Sequence, residues 1–252
     1  MGLQQNLQNI QTNLLNAKTA IAQSISNKGV ECSADDKLST FAEKIDSISG
    51  GSTGGTGEKF VVPNGLNFGY SIAFDPTIFD VSQVTYMSDM FSNCSRLTSI
   101  DLSGWNTSKV TDMGSMFYYC SGLTSIDLSG WNTSKVTDMD GMFYNCTYLR
   151  SIDLSSFSLI SCTKVTDIFR FDINLANLQL PDLGHNQDST SLDLSTCSKL
   201  TKDSILYLFN NAFDRTAAGY TKAFTIKLNA TTKALLSEDE IAIATNKGFT
   251  VV

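Results

Sequence analysis

A chain of 252 residues with 42% apolar and only 17% charged side chains can bury a real core, which excludes disorder over most of its length. A formal charge of −7 and one histidine exclude a nucleic-acid partner, because phosphate binding needs clustered Lys and Arg. No run approaches the ~18 apolar residues of a membrane helix, and the opening MGLQQNLQNIQTNLLNAK has neither the basic start nor the apolar core of a secretory signal, so membrane insertion is not expected.

Leu3, Leu7, Ile10, Leu14, Ala17 and Ile21 are spaced four, three, four, three and four, which predicts a short coiled coil and a homo-oligomer, a trimer being the first expectation. Gly29 ends this helix as a left-handed cap. A second helix follows the acidic start Asp35 and Asp36, with Leu38, Phe41, Ile45 and Ile48 on one face. Residues 1–49 thus read as a helical oligomerisation and attachment segment, and GGSTGGTG over residues 50–57 as a flexible linker. Residues 58–252 form the remaining unit. Its start, EKFVVPNGLNFGYSIAFDP, carries the turn residues Pro63 and Gly65 between strand-like runs and reads as a cap.

The stretch from Leu97 to Met113, LTSIDLSGWNTSKVTDM, then recurs unchanged from Leu123 to Met139, a period of 26. A period in the twenties means stacked units that bury a face only against their neighbours. Four copies are read, starting at Val84, Val110, Val136 and, after a longer third copy, Val165. Within each, Met113, Met116, Phe117, Cys120 and Leu123 fall at helical spacings and predict a short helix. A strand follows, with Ile100 and Leu102 inward and Ser99, Asp101 and Ser103 outward. The sequence therefore predicts an α/β solenoid of 26-residue repeats behind an N-terminal helical segment. Beyond the repeats, Leu192, Leu194 and Leu200 predict a strand and turn. Ile205, Leu208, Phe209 and Ala212 predict a helix, and Phe224, Ile226 and Leu228 a strand. Ser237 with Glu240 predicts a capping box, with FTVV as a closing strand.

Few residues invite chemistry. Cys94, Cys120 and Cys146 recur at the period and read as buried apolar side chains in one column; Cys32, Cys162 and Cys197 have no evident partners, and reduced thiols are expected. His185, in the loop PDLGHNQDST, reads as an exposed loop residue with no nucleophile in a triad context. No metal, cofactor or catalytic residue is expected. Two aspartate columns, Asp101, Asp127 and Asp153 and then Asp112, Asp138 and Asp167, read as hydrogen-bonded turn carboxylates, with Ca2+ binding the alternative. Trp105, Trp131 and Phe157 read as a packed column, an exposed sugar-binding row being the alternative. The candidate ligand-binding face is the outer side of the strands: Ser99, Asp101 and Ser103, then Ser125, Asp127 and Ser129, then Ser151, Asp153 and Ser155. The loops 159–164 and 184–190 are rivals for that role.

The unit VTDMxxMFxxCxxLTSIDLSxWNTSK resembles the BspA-like leucine-rich repeats of bacterial surface proteins, over roughly residues 58–252. The resemblance implies a leucine-rich repeat array used in adhesion or recognition, with no catalytic residues to carry over and no ligand named. The segment NKGVECSADDKLSTFAEKI with its Gly-rich linker resembles the leading segments of gut-phage tail and fibre proteins. Together these imply a non-enzymatic virion protein, a fibre or appendage subunit made in the host cytoplasm. Its N-terminus would meet other virion proteins, and its repeats a glycan or protein of the host surface. A bacterial adhesin or interaction scaffold at the cell surface is the alternative.

Overall fold

The computed structural model describes residue 22, residues 60–61, residues 79–185 and residues 191–252. Ala22 is helical and buried. The heptad residues Leu3, Leu7, Ile10, Leu14, Ala17 and Ile21, the second helix and the linker lie outside the described residues.

In chain order the elements are β1 (Phe60–Val61), β2 (Phe79–Asp80), β3 (Ser151–Asp153), β4 (Asn177–Gln179), β5 (Ser191–Leu194), α1 (Lys202–Asn211), β6 (Phe224–Leu228), α2 (Ala230–Lys233), α3 (Glu238–Thr245) and β7 (Phe249–Val251). Among the described residues all strand pairs are parallel and fall into three small sheets, β1–β2, β3–β4 and β5–β6–β7. This overturns the expected α/β solenoid of one helix and one strand per repeat. The repeats are built of turns joined by isolated bridges, and the named helices come after residue 201.

The helical spacing misleads for a reason visible in the backbone. From Met113 to Cys120, alternate N–H groups point to different partners. Those of Met113, Ser115, Phe117 and Tyr119 donate to carbonyls of the next repeat, at Asp138, Asp140, Met142 and Tyr144. Those of Met116, Tyr118 and Cys120 close turns onto the residue three back. Ser115 and Tyr119 also hold φ values of 56° and 58°, in the left-handed region that no right-handed helix accommodates. Spacings of three thus mark successive tight turns, each placing one apolar side chain inward.

Isolated parallel bridges join Tyr86 to Asp112, Asp112 to Asp138 and Asp138 to Lys164, so the 26-residue spacing is also the hydrogen-bonding register. The fourth copy keeps this spacing and corrects its expected start. Phe143 N donates to Ile168 O at 2.9 Å and Met139 N to Lys164 O at 2.9 Å. Val165 therefore stands opposite Met139, and Cys162 opposite Val136. The third Val-Thr-Asp triplet, at residues 165–167, is displaced by three residues from its apparent equivalents, because a cross-layer ladder requires equal numbers of residues per layer.

The core runs through the layers as columns. Phe91, Phe117, Phe143 and Phe169 are all buried, with consecutive ring centroids 5.4, 5.4 and 5.7 Å apart and interplanar angles of 5°, 8° and 8°. Leu102, Leu128, Leu154 and Leu180 form another column. Ile100 and Leu102 point inward as expected, at 9% and 0% exposure.

The two sides of the layers end differently. At β4, Ser204 Oγ in the first turn of α1 accepts from Leu178 N at 3.0 Å and faces Ala176 O at 3.1 Å, so a side chain stands in for the next strand. The opposite side continues into β5–β6–β7, where Leu192 pairs with Ile226 and Ile226 with Val251. Helix α1 buries Ile205, Leu208 and Phe209, and α3 opens with the Ser237–Glu240 capping box. Substituting Ser204→Ala strands Leu178 N beneath α1, while Ala176 O keeps the bond from Thr201 N, so an unfolding free energy lower by about 1–3 kcal/mol is expected in urea titration.

Candidate functional site

The outer strand face is built as the period-2 pattern requires. Ser99, Asp101, Ser103, Ser125, Asp127, Ser129, Ser151, Asp153 and Ser155 are all exposed, with Asp101 bridged to Asp127 and Asp153 paired with Gln179. Each carboxylate is held by its own turn. Asp101 Oδ1 accepts from Ser103 N at 3.0 Å, Asp127 Oδ1 from Ser129 N at 2.9 Å, and Asp153 Oδ1 from Ser155 N at 2.8 Å. These bonds, from the Ser103 and Ser129 backbones first and then their side chains, hold Asp101 and Asp127 below the usual carboxylate range. The face is thus a stack of oriented carboxylate acceptors among hydroxyls.

The second aspartate column is less uniform. Asp112 Oδ1 accepts from Gly114 N at 2.9 Å and Asp138 Oδ1 from Asp140 N at 3.0 Å, while Lys164 Nζ lies 2.7 Å from Asp138 Oδ2. Burial raises Asp112, with the Gly114 N–H opposing and the Asp138 charge adding to the rise. Asp167 does not continue this column; Lys164 takes its place, and Asp167 pairs with Arg170 at 3.3 Å. Among the described residues no group of three or more His, Cys, Asp or Glu is arranged to hold a metal ion.

Trp105, Trp131 and Phe157 are buried at 3%, 3% and 2% exposure, which removes the sugar-binding reading of that column. Trp131 Nε1 donates to Leu102 O at 3.3 Å. The five described cysteines are buried and form no disulfide; Cys162 has moved into the valine column. His185 is half-buried rather than exposed, its ring stacked on Phe213 at 3.8 Å while its carbonyl accepts from Tyr220 Oη at 2.9 Å.

The structure adds an exposed aromatic row that the sequence reading missed. The rings of Tyr119, Tyr148 and Phe171, from three successive layers, are 41%, 62% and 39% exposed, and Ile173 is 48% exposed. Tyr118 stacks on Tyr144 at 4.7 Å, Phe171 meets Tyr144 edge-on at 5.2 Å, and the Arg170 guanidinium lies 5.4 Å from the Phe171 ring centre. Tyr119 and Phe171 occupy one column with Asn93 and Asn145, and all four have positive φ, at 58°, 67°, 66° and 61°. Asparagine suits that conformation and a bulky aromatic does not. The available signal was the departure from Asn at a left-handed position, legible only once the turn geometry is known.

A family profile described as "Mycoplasma protein of unknown function, DUF285" matches residues 67–178. That family is related to the BspA-like repeats, so the stretch spanning the first repeats is similar to them. No curated protein matches the chain significantly, and no solved structure does.

Proposed function

We propose that the chain is a non-enzymatic recognition subunit of a phage particle, a fibre or appendage component. In this reading residues 1–49 oligomerise and dock to the particle, and the repeats bind a glycan or protein of the host surface. The observation that supports recognition is the pair of exposed rings Tyr119 and Phe171, joined through Tyr144, with Tyr148 exposed as well, on a chain that also presents the exposed Asp101, Asp127 and Asp153 ladder. Exposed apolar side chains that pack on one another mark contact surfaces, and the pinned carboxylates of the strand face supply directional acceptors without rearrangement.

The repeats themselves provide variants that spare the fold. Asn93 and Asn145 adopt the left-handed conformation of Tyr119 and Phe171, and Asn174 follows Tyr148 at the 26-residue step. The triple substitution Tyr119→Asn, Tyr148→Asn, Phe171→Asn should keep the unfolding midpoint near wild type. It should weaken binding of labelled protein to bacterial cells or their isolated polysaccharides by tenfold or more. Equal binding by both proteins would sink the assignment of this surface.

A bacterial adhesin or interaction scaffold is the second reading, favoured by the relation of the matched family to BspA-like repeats. Mass spectrometry of purified particles separates the two: the chain present at stoichiometric level supports the virion reading, and its recovery only in bacterial envelopes supports the adhesin.

A further inference from the structure

The cysteine column carries a proton donor in successive layers. Cys120 Sγ donates to Phe91 O at 3.1 Å, Cys146 Sγ to Phe117 O at 3.2 Å and, beyond them, Cys197 Sγ to Phe169 O at 3.2 Å. At the 26-residue step after Cys146 stands Asp172, which is 0% exposed. Its Oδ1 accepts from Cys146 N at 2.6 Å, while its Oδ2 is buried with no hydrogen-bond partner, and no ion pair among the described residues involves it. A fully buried, unpaired carboxylate is among the least favourable arrangements a core can hold. A neutral acid has one O–H to give. In this register the carbonyl that a thiol at position 172 would reach is that of Phe143.

We infer that Asp172 is carried as the neutral carboxylic acid, its Oδ2 proton donated to the Phe143 carbonyl in place of the thiol of the other layers. The fourth layer is therefore a proton-dependent joint, whose own contribution to stability is fully present in acid and is lost as pH rises. Burial pushes the Asp172 carboxyl well above its ordinary value, with the Cys146 N–H opposing. The titratable groups facing it are the thiols of Cys146 and Cys197, both raised by burial first, Cys197 to about 12, so they stay protonated while the carboxyl titrates.

The sign follows from the raised folded value. Below the unfolded carboxyl value of about 3.9 both states are protonated and the contribution is fully present. As pH rises from there toward the folded value, only the folded state keeps the proton. The unfolding equilibrium constant then grows by up to about tenfold per pH unit. Asp89 and Asp112 are also raised, chiefly by burial, so the difference between wild type and an Asp172 variant is the readout.

Asp172→Asn keeps an acceptor for Cys146 N and a donor for Phe143 O at every pH, and Asp172→Cys restores the residue of the neighbouring layers. Denaturant unfolding of the full-length proteins from acid to alkaline pH should show wild type losing stability relative to both variants as pH rises, by up to about tenfold per unit. At neutral pH, difference infrared spectra should show a protonated carboxyl band in wild type that Asp172→Asn removes. A pH-independent difference together with no such band would overturn the proposal. If Asp172→Asn does not fold, Asp172→Cys and the wild-type infrared band decide it by the same criteria.

Discussion

Phe143→Ala is expected to lower the unfolding free energy by about 3–5 kcal/mol, the range for removing a fully buried aromatic ring. The ring is 0% exposed and stacked on both sides, 5.4 Å from Phe117 and 5.7 Å from Phe169. The surroundings cannot collapse into the space. Phe143 N is tied to Ile168 O at 2.9 Å and Phe117 N to Met142 O at 2.8 Å, so the spacing between layers is set by the backbone. The cost should lie at the upper end of the range, because it grows with the cavity that remains. Chemical unfolding followed by tryptophan fluorescence gives the number, and a broadened transition would show the layers on either side of the gap separating in steps. A loss below about 1 kcal/mol would mean that the layers slide together and that the ladder does not fix their distance.

Gly184→Ala should cost about 2–4 kcal/mol, from two effects that can be measured apart. Gly184 has φ +89°, and an added Cβ would lie 2.6 Å from Phe249 Cζ and 2.9 Å from its Cε1. That ring cannot swing aside freely, being buried and packed edge-on against Phe224 at 5.4 Å. Gly219 also has positive φ, +73°, but open space around it, so Gly219→Ala should show backbone strain alone, about 1–2 kcal/mol. Gly104, with neither positive φ nor any atom within 4 Å of an added Cβ, should tolerate alanine within about 0.5 kcal/mol. Thermal unfolding of the three variants side by side checks the order 184, 219, 104. If Gly184→Ala cost no more than Gly219→Ala, the close packing of Phe249 on this corner would be disproved.

The local features that sequence spacing predicts correctly share a cause. Ile205, Leu208 and Phe209 lie on one face of α1, Ser237 and Glu240 make the capping box of α3, and Phe224, Ile226 and Leu228 alternate inward along β6. Each depends on side chains within one turn or one strand, so neighbours in sequence are sufficient evidence. The helix expected over Met113 to Leu123 failed because turns and helices both return an apolar residue every three or four positions. Where the intervening N–H groups point is a relation between layers, and sequence spacing does not contain it.

By itself the sequence determined the period of 26, the inward columns of Met, Phe, Cys and Leu, and the outward face of Ser99, Asp101, Ser103 and their repeats, because identity at fixed spacing dictates which positions are equivalent. Only the tertiary structure decided how those equivalents meet. It placed Val165 opposite Met139, turned Tyr119 and Phe171 outward at left-handed positions, and set Asp172 in the column of thiols. The physical reason is that a cross-layer ladder counts residues and not resemblance. Once each layer must supply its hydrogen bonds in register, a residue's surroundings follow from its place in the stack, even where its flanking sequence suggests another.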